Sequence, residues 1–308
     1  MVNRDLSVVY VTRPIQYLNA TNIPNMGYNC ILLLENSFNG FEKVKTIAEN
    51  DRRWKQIVQV NSFKEVIRWL LRHQFSISTF YTFTDNGLSW QIAFNLLLDV
   101  EICLYEEGAA TYMPRELSGF KKGLYSIANF GQIANRVYLG YNKNIKKIYV
   151  YDTILHKKSI GCTKEVVPFE RPFFELAKSR ALAPFHYPDC TKFHAKKILL
   201  YITSWDYNED IIPLLNQYEN YYKVLKPHPH FEGKNETANI FDDVIDSTYL
   251  AEFLISDMLA ECQELIIIHQ CSTCILHLDN LQNVKIINLV SKYTDFSSYN
   301  RLMSLKES

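Results

Sequence analysis

The sequence predicts an α/β protein made of two Rossmann-like, doubly wound domains of mostly parallel sheet. Three observations carry that reading. Short apolar runs alternate with helix-period segments along the 308-residue chain. The alternation breaks once, where Pro168, Pro172, Pro184 and Pro188 leave no clean period. It then resumes as a second βα series. The length of 308 residues agrees, since domains run to about 150 residues each.

In the first half, strands are expected at Leu6–Val11, 30–34, 56–60, 79–83, Glu101–Tyr105 and 147–151. Between them, Phe63–His73 puts Val66, Trp69 and Leu70 on one helical face, and 88–98 reads as another helix. The first domain is expected over 1–166, a linker over 167–190 and the second domain over 191–308. Second-half strands are expected at 197–203, 222–225, 243–246, 265–269 and 284–289, with helices at 209–218, 249–259 and 273–278. The segment from Tyr293 reads as a helix able to cross back to the first domain. Two such sheets are expected to face a central cleft, because ligands of doubly wound folds bind beyond the carboxyl ends of the strands.

Composition narrows the function classes. Lys+Arg and Asp+Glu are both 33, so formal charge is zero and nucleic acid is not favoured as a partner. Aromatics reach 14%, enough for the core and for stacking on sugars or bases. No run approaches the roughly 20 apolar residues of a membrane span. The opening MVNRDLSVVYVTRP lacks a secretory signature, and seven cysteines read as reduced thiols. The expectation is a cytoplasmic protein, with Lys121, Lys122 and the lysines of 143–147 open either to an anionic membrane or simply to solvent.

The expected strand tips carry the chemistry. The first domain offers Thr12, Arg13, Pro14, Ile15 and Gln16, then Thr84, Asp85, Asn86 and Gly87, then Glu106, Glu107 and Gly108. Adjacent carboxylates disfavour each other's ionisation, so one of Glu106 and Glu107 can stay basic enough to accept a proton near neutral pH. Gly108 behind them allows a tight turn. The bland alternative is a solvated acidic loop.

The second domain offers Thr203, Ser204 and Trp205, then KPHPH, then HQCST. Pro227 and Pro229 lock the backbone around His228, which suits a donor or general acid aimed at a phosphate or leaving group. Lys226 and His230 add charge nearby. Ser272 and Thr273 suit a helix cap, or an anion site made of free N–H groups and hydroxyls. No glycine-rich phosphate loop is present, which argues against a triphosphate. No Asp-x-Asp pair ends a strand, so no metal is expected. Two rival readings use the same stretch. His269, Cys271, Cys274 and His277 form a compact zinc set, although structural zinc usually draws on two arms with a longer spacer. Cys271 and Cys274 also form a CxxC dithiol.

The order of these motifs resembles the bacterial sialyltransferases of the GT-B fold, including lipooligosaccharide sialyltransferases and capsule polysialyltransferases. Those families carry acid-acid-Gly, then His-Pro, then Ser-Ser or Ser-Thr. Here they stand as Glu106–Glu107–Gly108, His228–Pro229 and Ser272–Thr273. IDSTYLAEFL looks like the family's Pro-Ala-Glu segment, with Glu252 as its acid and Leu250 where proline is usual. TRPIQYLNA looks like its opening strand-to-helix loop.

The resemblance implies a metal-independent, inverting transfer from CMP-N-acetylneuraminic acid, with no cofactor. It implies Glu106 as base by analogy, with Glu107 beside it. His228 would serve the departing phosphate, Ser272 and Thr273 would anchor it, and Glu252 would hold the ribose. Gly108, Lys226 and Pro229 would complete the binding loops. The implied acceptor is a galactose-terminated glycan or lipid-linked oligosaccharide of a bacterial surface, such as O-antigen, lipooligosaccharide or capsule. The implied place is the bacterial cytoplasm or the inner face of its membrane. Transfer of another CMP-activated acidic sugar would use the same nucleotide residues.

Overall fold

A computed structural model describes residues 4–117, 119–128, 136–177, 180–205, 207–229, 231, 239–278, 284–290 and 295–307. They divide into two compact units, one up to Pro172 and one from Phe173 to Glu307.

The first unit holds a seven-stranded parallel sheet in the order β3-β2-β1-β4-β5-β8-β9. Its strands are β1 (Leu6–Val11), β2 (Cys30–Glu35), β3 (Trp54–Val60), β4 (Ile77–Thr82), β5 (Glu101–Tyr105), β8 (Ile145–Val150) and β9 (Glu165–Pro168). A separate antiparallel pair joins β6 (Arg115–Glu116) to β7 (Arg136–Val137). Helices α1 (Pro14–Thr21), α2 (Phe41–Asn50), α3 (Phe63–His73), α4 (Leu88–Leu96), α5 (Gly119–Ala128) and α6 (Thr153–Ile160) complete the unit. β1 and β2 are buried along almost their whole length, which explains their unbroken apolar sequence. α1 starts on Pro14, whose missing N–H costs nothing in a first turn.

The second unit begins with α7 (Phe173–Ala177) and holds a five-stranded parallel sheet, β12-β11-β10-β13-β14. The strands are β10 (Lys197–Ile202), β11 (Tyr222–Lys226), β12 (Asp243–Val244), β13 (Glu264–His269) and β14 (Val284–Asn288), with helices α8 (Ile211–Gln217), α9 (Ala251–Glu261) and α10 (Phe296–Glu307). Alternate residues of β10 feed two cores. Ile198, Leu200 and Ile202 pack with Leu254 and Met258 of α9, while Leu199 and Tyr201 pack with Ile211 and Leu215 of α8.

Three expectations change. The stretch expected as linker is structured: β9 closes the first sheet's edge, Phe173 stacks on His277, and Phe185 is fully buried. Of its prolines, Pro168 ends β9 and Pro184 lies inside a 3-10 turn, while Pro172 and Pro188 stand outside strand and helix. The helix expected to cross back is α10, which belongs to the second unit. There Tyr299 donates to the Ser272 carbonyl, and Lys306 donates to the carbonyls of Leu276 and Leu278. The helix expected at 273–278 is a five-residue 3-10 turn, Thr273–His277.

Candidate active site

The acidic pair follows β5, and the structure separates its members. Glu106 is fully buried. Its N–H donates to the Tyr149 carbonyl, and its own carbonyl accepts from Asn19 Nδ2 at 2.8 Å. Its Oε2 accepts from the Tyr112 hydroxyl at 2.5 Å and from the Tyr151 N–H at 2.9 Å. Burial, then the Glu106 charge, hold the Tyr112 hydroxyl well above its ordinary pKa, so that proton stays on tyrosine. Glu106 therefore ties the 3-10 turn Ala109–Tyr112 and the end of β8 to its carboxylate, and α1 to its backbone carbonyl.

Glu107 differs. Its side chain is 21% exposed and lies 3.7 Å from Arg13 Nη1. Burial raises its pKa above the ordinary carboxylate value, while Arg13 and Arg115 pull it back. Its N–H donates to Thr111 Oγ1 at 2.9 Å, which fixes the loop. Gly108 has φ +134° and ψ −146°, a region that only glycine enters at low cost. The analogy names Glu106 as the base; of the two acids, only Glu107 is partly open to solvent.

The tip that carries Asp85 has a structural task. Asp85 is buried, and its two oxygens accept the N–H groups of Gly140 and Asn142 at 3.0 and 2.9 Å. Gln91 Nε2 donates to the Asp85 carbonyl, and Asn142 Nδ2 donates to Gln91 Oε1.

In the second unit, the tips of neighbouring strands β11, β10 and β13 meet. The His228 N–H donates to Thr203 Oγ1 at 2.9 Å. The Trp205 ring lies 6.0 Å from the His228 ring, inclined by 30°. Gln270 Oε1 accepts from the Ser204 N–H and from the Tyr201 hydroxyl. His228 is half-buried and Pro229 is exposed, so both stand at the surface of this tip. His230 lies outside the described residues.

Lys226 is buried, and its Nζ donates to the carbonyls of Pro227 and Ser247. Burial pushes its pKa down to about 8, against the pull of Glu252 and Asp246. Glu252, in the first turn of α9, is 8% exposed. Burial raises its carboxyl, and Lys226 offsets part of that rise. Lys226 thus clamps two loops, where the sequence suggested a group offered to a ligand.

The Ser272–Thr273 turn is less open than expected. The Ser272 N–H donates to His269 Nδ1 at 3.1 Å, and Ser272 Oγ lies 3.0 Å from Cys274 Sγ. Both hydroxyl residues remain half-buried. Burial pushes His269 down to about 4, so it accepts as a neutral ring. The zinc set does not assemble: among the described residues no group of three or more His, Cys, Asp or Glu is placed to hold a metal ion. His277 instead stacks on Phe173 at 4.8 Å. Burial raises the Cys274 thiol, the opposite of a redox-active thiolate.

Arg13, Arg115, Trp205 and Thr203 complete these tips. Sequence reading missed their roles: Arg13 and Trp205 stand in the quoted tip motifs, but nothing local assigns them to Glu107 or His228. Arg115, beyond the turn that follows Gly108, acts on Glu107 through its charge.

No protein-family model and no curated protein matches this sequence. Solved structures do match the fold. An alpha/beta-galactoside alpha-2,3-sialyltransferase from the luminous marine bacterium Photobacterium phosphoreum is 12% identical with a TM-score of 0.59, over 99% of this chain and 96% of that one. The Anabaena protein HepE, solved with UDP, is 10% identical with a TM-score of 0.51, over 98% of this chain and 90% of that one. At these identities the likeness shows the fold, that of the GT-B glycosyltransferases.

Proposed function

We propose that this GT-B chain is an inverting sialyltransferase that uses CMP-sialic acid, with Glu107 rather than Glu106 as its base. The observation that carries the reading is the division of labour in the acidic pair: one acid locked inside, its neighbour half-accessible, raised in pKa and steadied by arginine. In the proposed reaction, Glu107 takes the proton of an acceptor hydroxyl while that oxygen bonds to the anomeric carbon. The bond from that carbon to the CMP phosphate oxygen breaks, and CMP leaves with the bonding pair. His228 donates to the departing phosphate, as its fixed place beside Trp205 and Thr203 allows. Ser272 and Thr273 supply hydroxyls to the same phosphate, and Glu252 holds the ribose. A galactose-terminated or lipid-linked glycan is the proposed acceptor.

The test is CMP release from CMP-N-acetylneuraminic acid in EDTA, with and without a galactose-terminated acceptor. Acceptor-stimulated release supports the reading. Glu107→Gln should lower kcat by about 10²-fold or more while CMP still raises the melting temperature. Glu106→Gln should mainly cost stability, about 1–3 kcal/mol, through its bonds to Tyr112 and Tyr151. Wild-type turnover in Glu107→Gln overturns its assignment. A melting shift with CMP but release only from another CMP-activated acidic sugar moves the donor and keeps the site. A shift with UDP alone moves it to the nucleotide seen in the HepE structure.

A further inference from the structure

The first unit carries a surface that the transfer chemistry does not use. α5 reads GFKKGLYSIA, and its Phe120, Leu124 and Ile127 recur at helical spacing. A helix of a globular unit turns such a stripe inward. Here Phe120 is 82% exposed and Ile127 77% exposed. α4 touches α5 and adds Ile92 and Leu96, with Leu98 just beyond its end; these are 47%, 50% and 60% exposed. The only charged side chains on the two helices are Lys121 and Lys122. Asp99, which follows Leu98, is paired with Arg4 at 3.4 Å.

Four exposed large apolar side chains on two touching helices, with Leu98 just beyond them, and two lysines with no carboxylate within either helix fit one partner chemistry. Apolar groups enter the acyl boundary of a bilayer, and lysines meet anionic headgroups. We propose that the α4–α5 face docks on an anionic lipid bilayer. Around α5, Tyr125 falls between Lys121 and Lys122 and gives the docking a use. The Tyr125 hydroxyl accepts the Gly87 N–H at 2.8 Å, and Tyr125 lines a hollow with Asn86, Met113 and Arg115. Arg115 is one of the two cations acting on Glu107. Docking through α5 would hold that hollow near lipid, where a lipid-linked acceptor is presented. This last step rests on the transferase reading; the docking does not.

The experiment is co-sedimentation of the purified chain with phosphatidylcholine vesicles, with and without phosphatidylglycerol, at low and high salt. Binding is expected only with phosphatidylglycerol, and weaker at high salt. Phe120→Ser combined with Ile127→Ser should weaken it about tenfold or more. Lys121→Glu with Lys122→Glu should also weaken it, and both variants should keep the wild-type melting temperature and wild-type transfer to a soluble acceptor. No sedimentation of the wild type overturns the proposal, as does equal binding by the variants. So does a wild-type dimer in sedimentation velocity that the apolar variant dissolves without any lipid binding. Vesicle binding with no CMP release leaves docking standing and removes the transferase reading alone.

Discussion

Glu106 and Glu107 show why two identical neighbours cannot do the same job. Successive side chains of an extended segment point to opposite sides, so adjacent acids at a strand end meet different surroundings. One meets Tyr112 and the Tyr151 N–H; the other meets Arg13 at a partly open edge. Arg13 favours the charged form of Glu107, so removing it must raise that carboxyl's pKa further. A base works only when deprotonated, so the acidic limb of kcat/KM should move to higher pH in Arg13→Ala. A pH–rate profile checks this, and an unmoved limb would separate Arg13 from the base. The pair was legible in the sequence as a special feature. The choice within it was not, because the deciding contacts come from residues 94 and 45 positions away.

At the scale of elements, the apolar runs of parallel strands announce themselves because both faces are covered, and β1, Phe63–His73 and β5 stand where the sequence places them. The failures have physical causes. β9 reads EVVP and ends on a proline; an edge strand tolerates that residue, while a sequence scan takes it as a break. α10 has no strong apolar stripe, so nothing local says which unit it joins; Tyr299 and Lys306 decide it by bonding the Ser272–Leu278 backbone. Asp85 looked like a reactive tip residue, yet it pins the Gly140–Asn142 turn to the end of β4. Asp85→Ala would leave those two buried N–H groups without their acceptor, which should cost about 2–5 kcal/mol. Chemical denaturation checks that figure. A loss below 1 kcal/mol would mean that water or a shifted loop replaces the carboxylate.

Across the whole molecule, buried histidines set how the fold responds to acid. His156 lies in the first unit, and His269 and His277 in the second. Burial pushes His156 and His269 down to about 4, and burial helped by the Lys306 charge pushes His277 to about 3. An unfolded histidine titrates near 6.5, so the unfolded chain takes up protons that the folded chain refuses. The stability these rings contribute is complete above about 6.5 and is lost as pH falls from there towards about 4. Buried Asp85 and Glu252, and half-buried Glu107, act in the opposite direction, since their raised pKa values let the folded state bind protons first. The net slope therefore does not isolate the histidines, but a single replacement does. His277→Phe keeps an aromatic ring against Phe173 and removes one titrating group. Its melting temperature should fall less steeply than that of the wild type between neutral and mildly acidic pH, with the two proteins closest in stability at the acid end. Parallel curves would show that His277 takes up its proton as readily in the folded as in the unfolded chain, and would move the acid sensitivity of the second unit to His269.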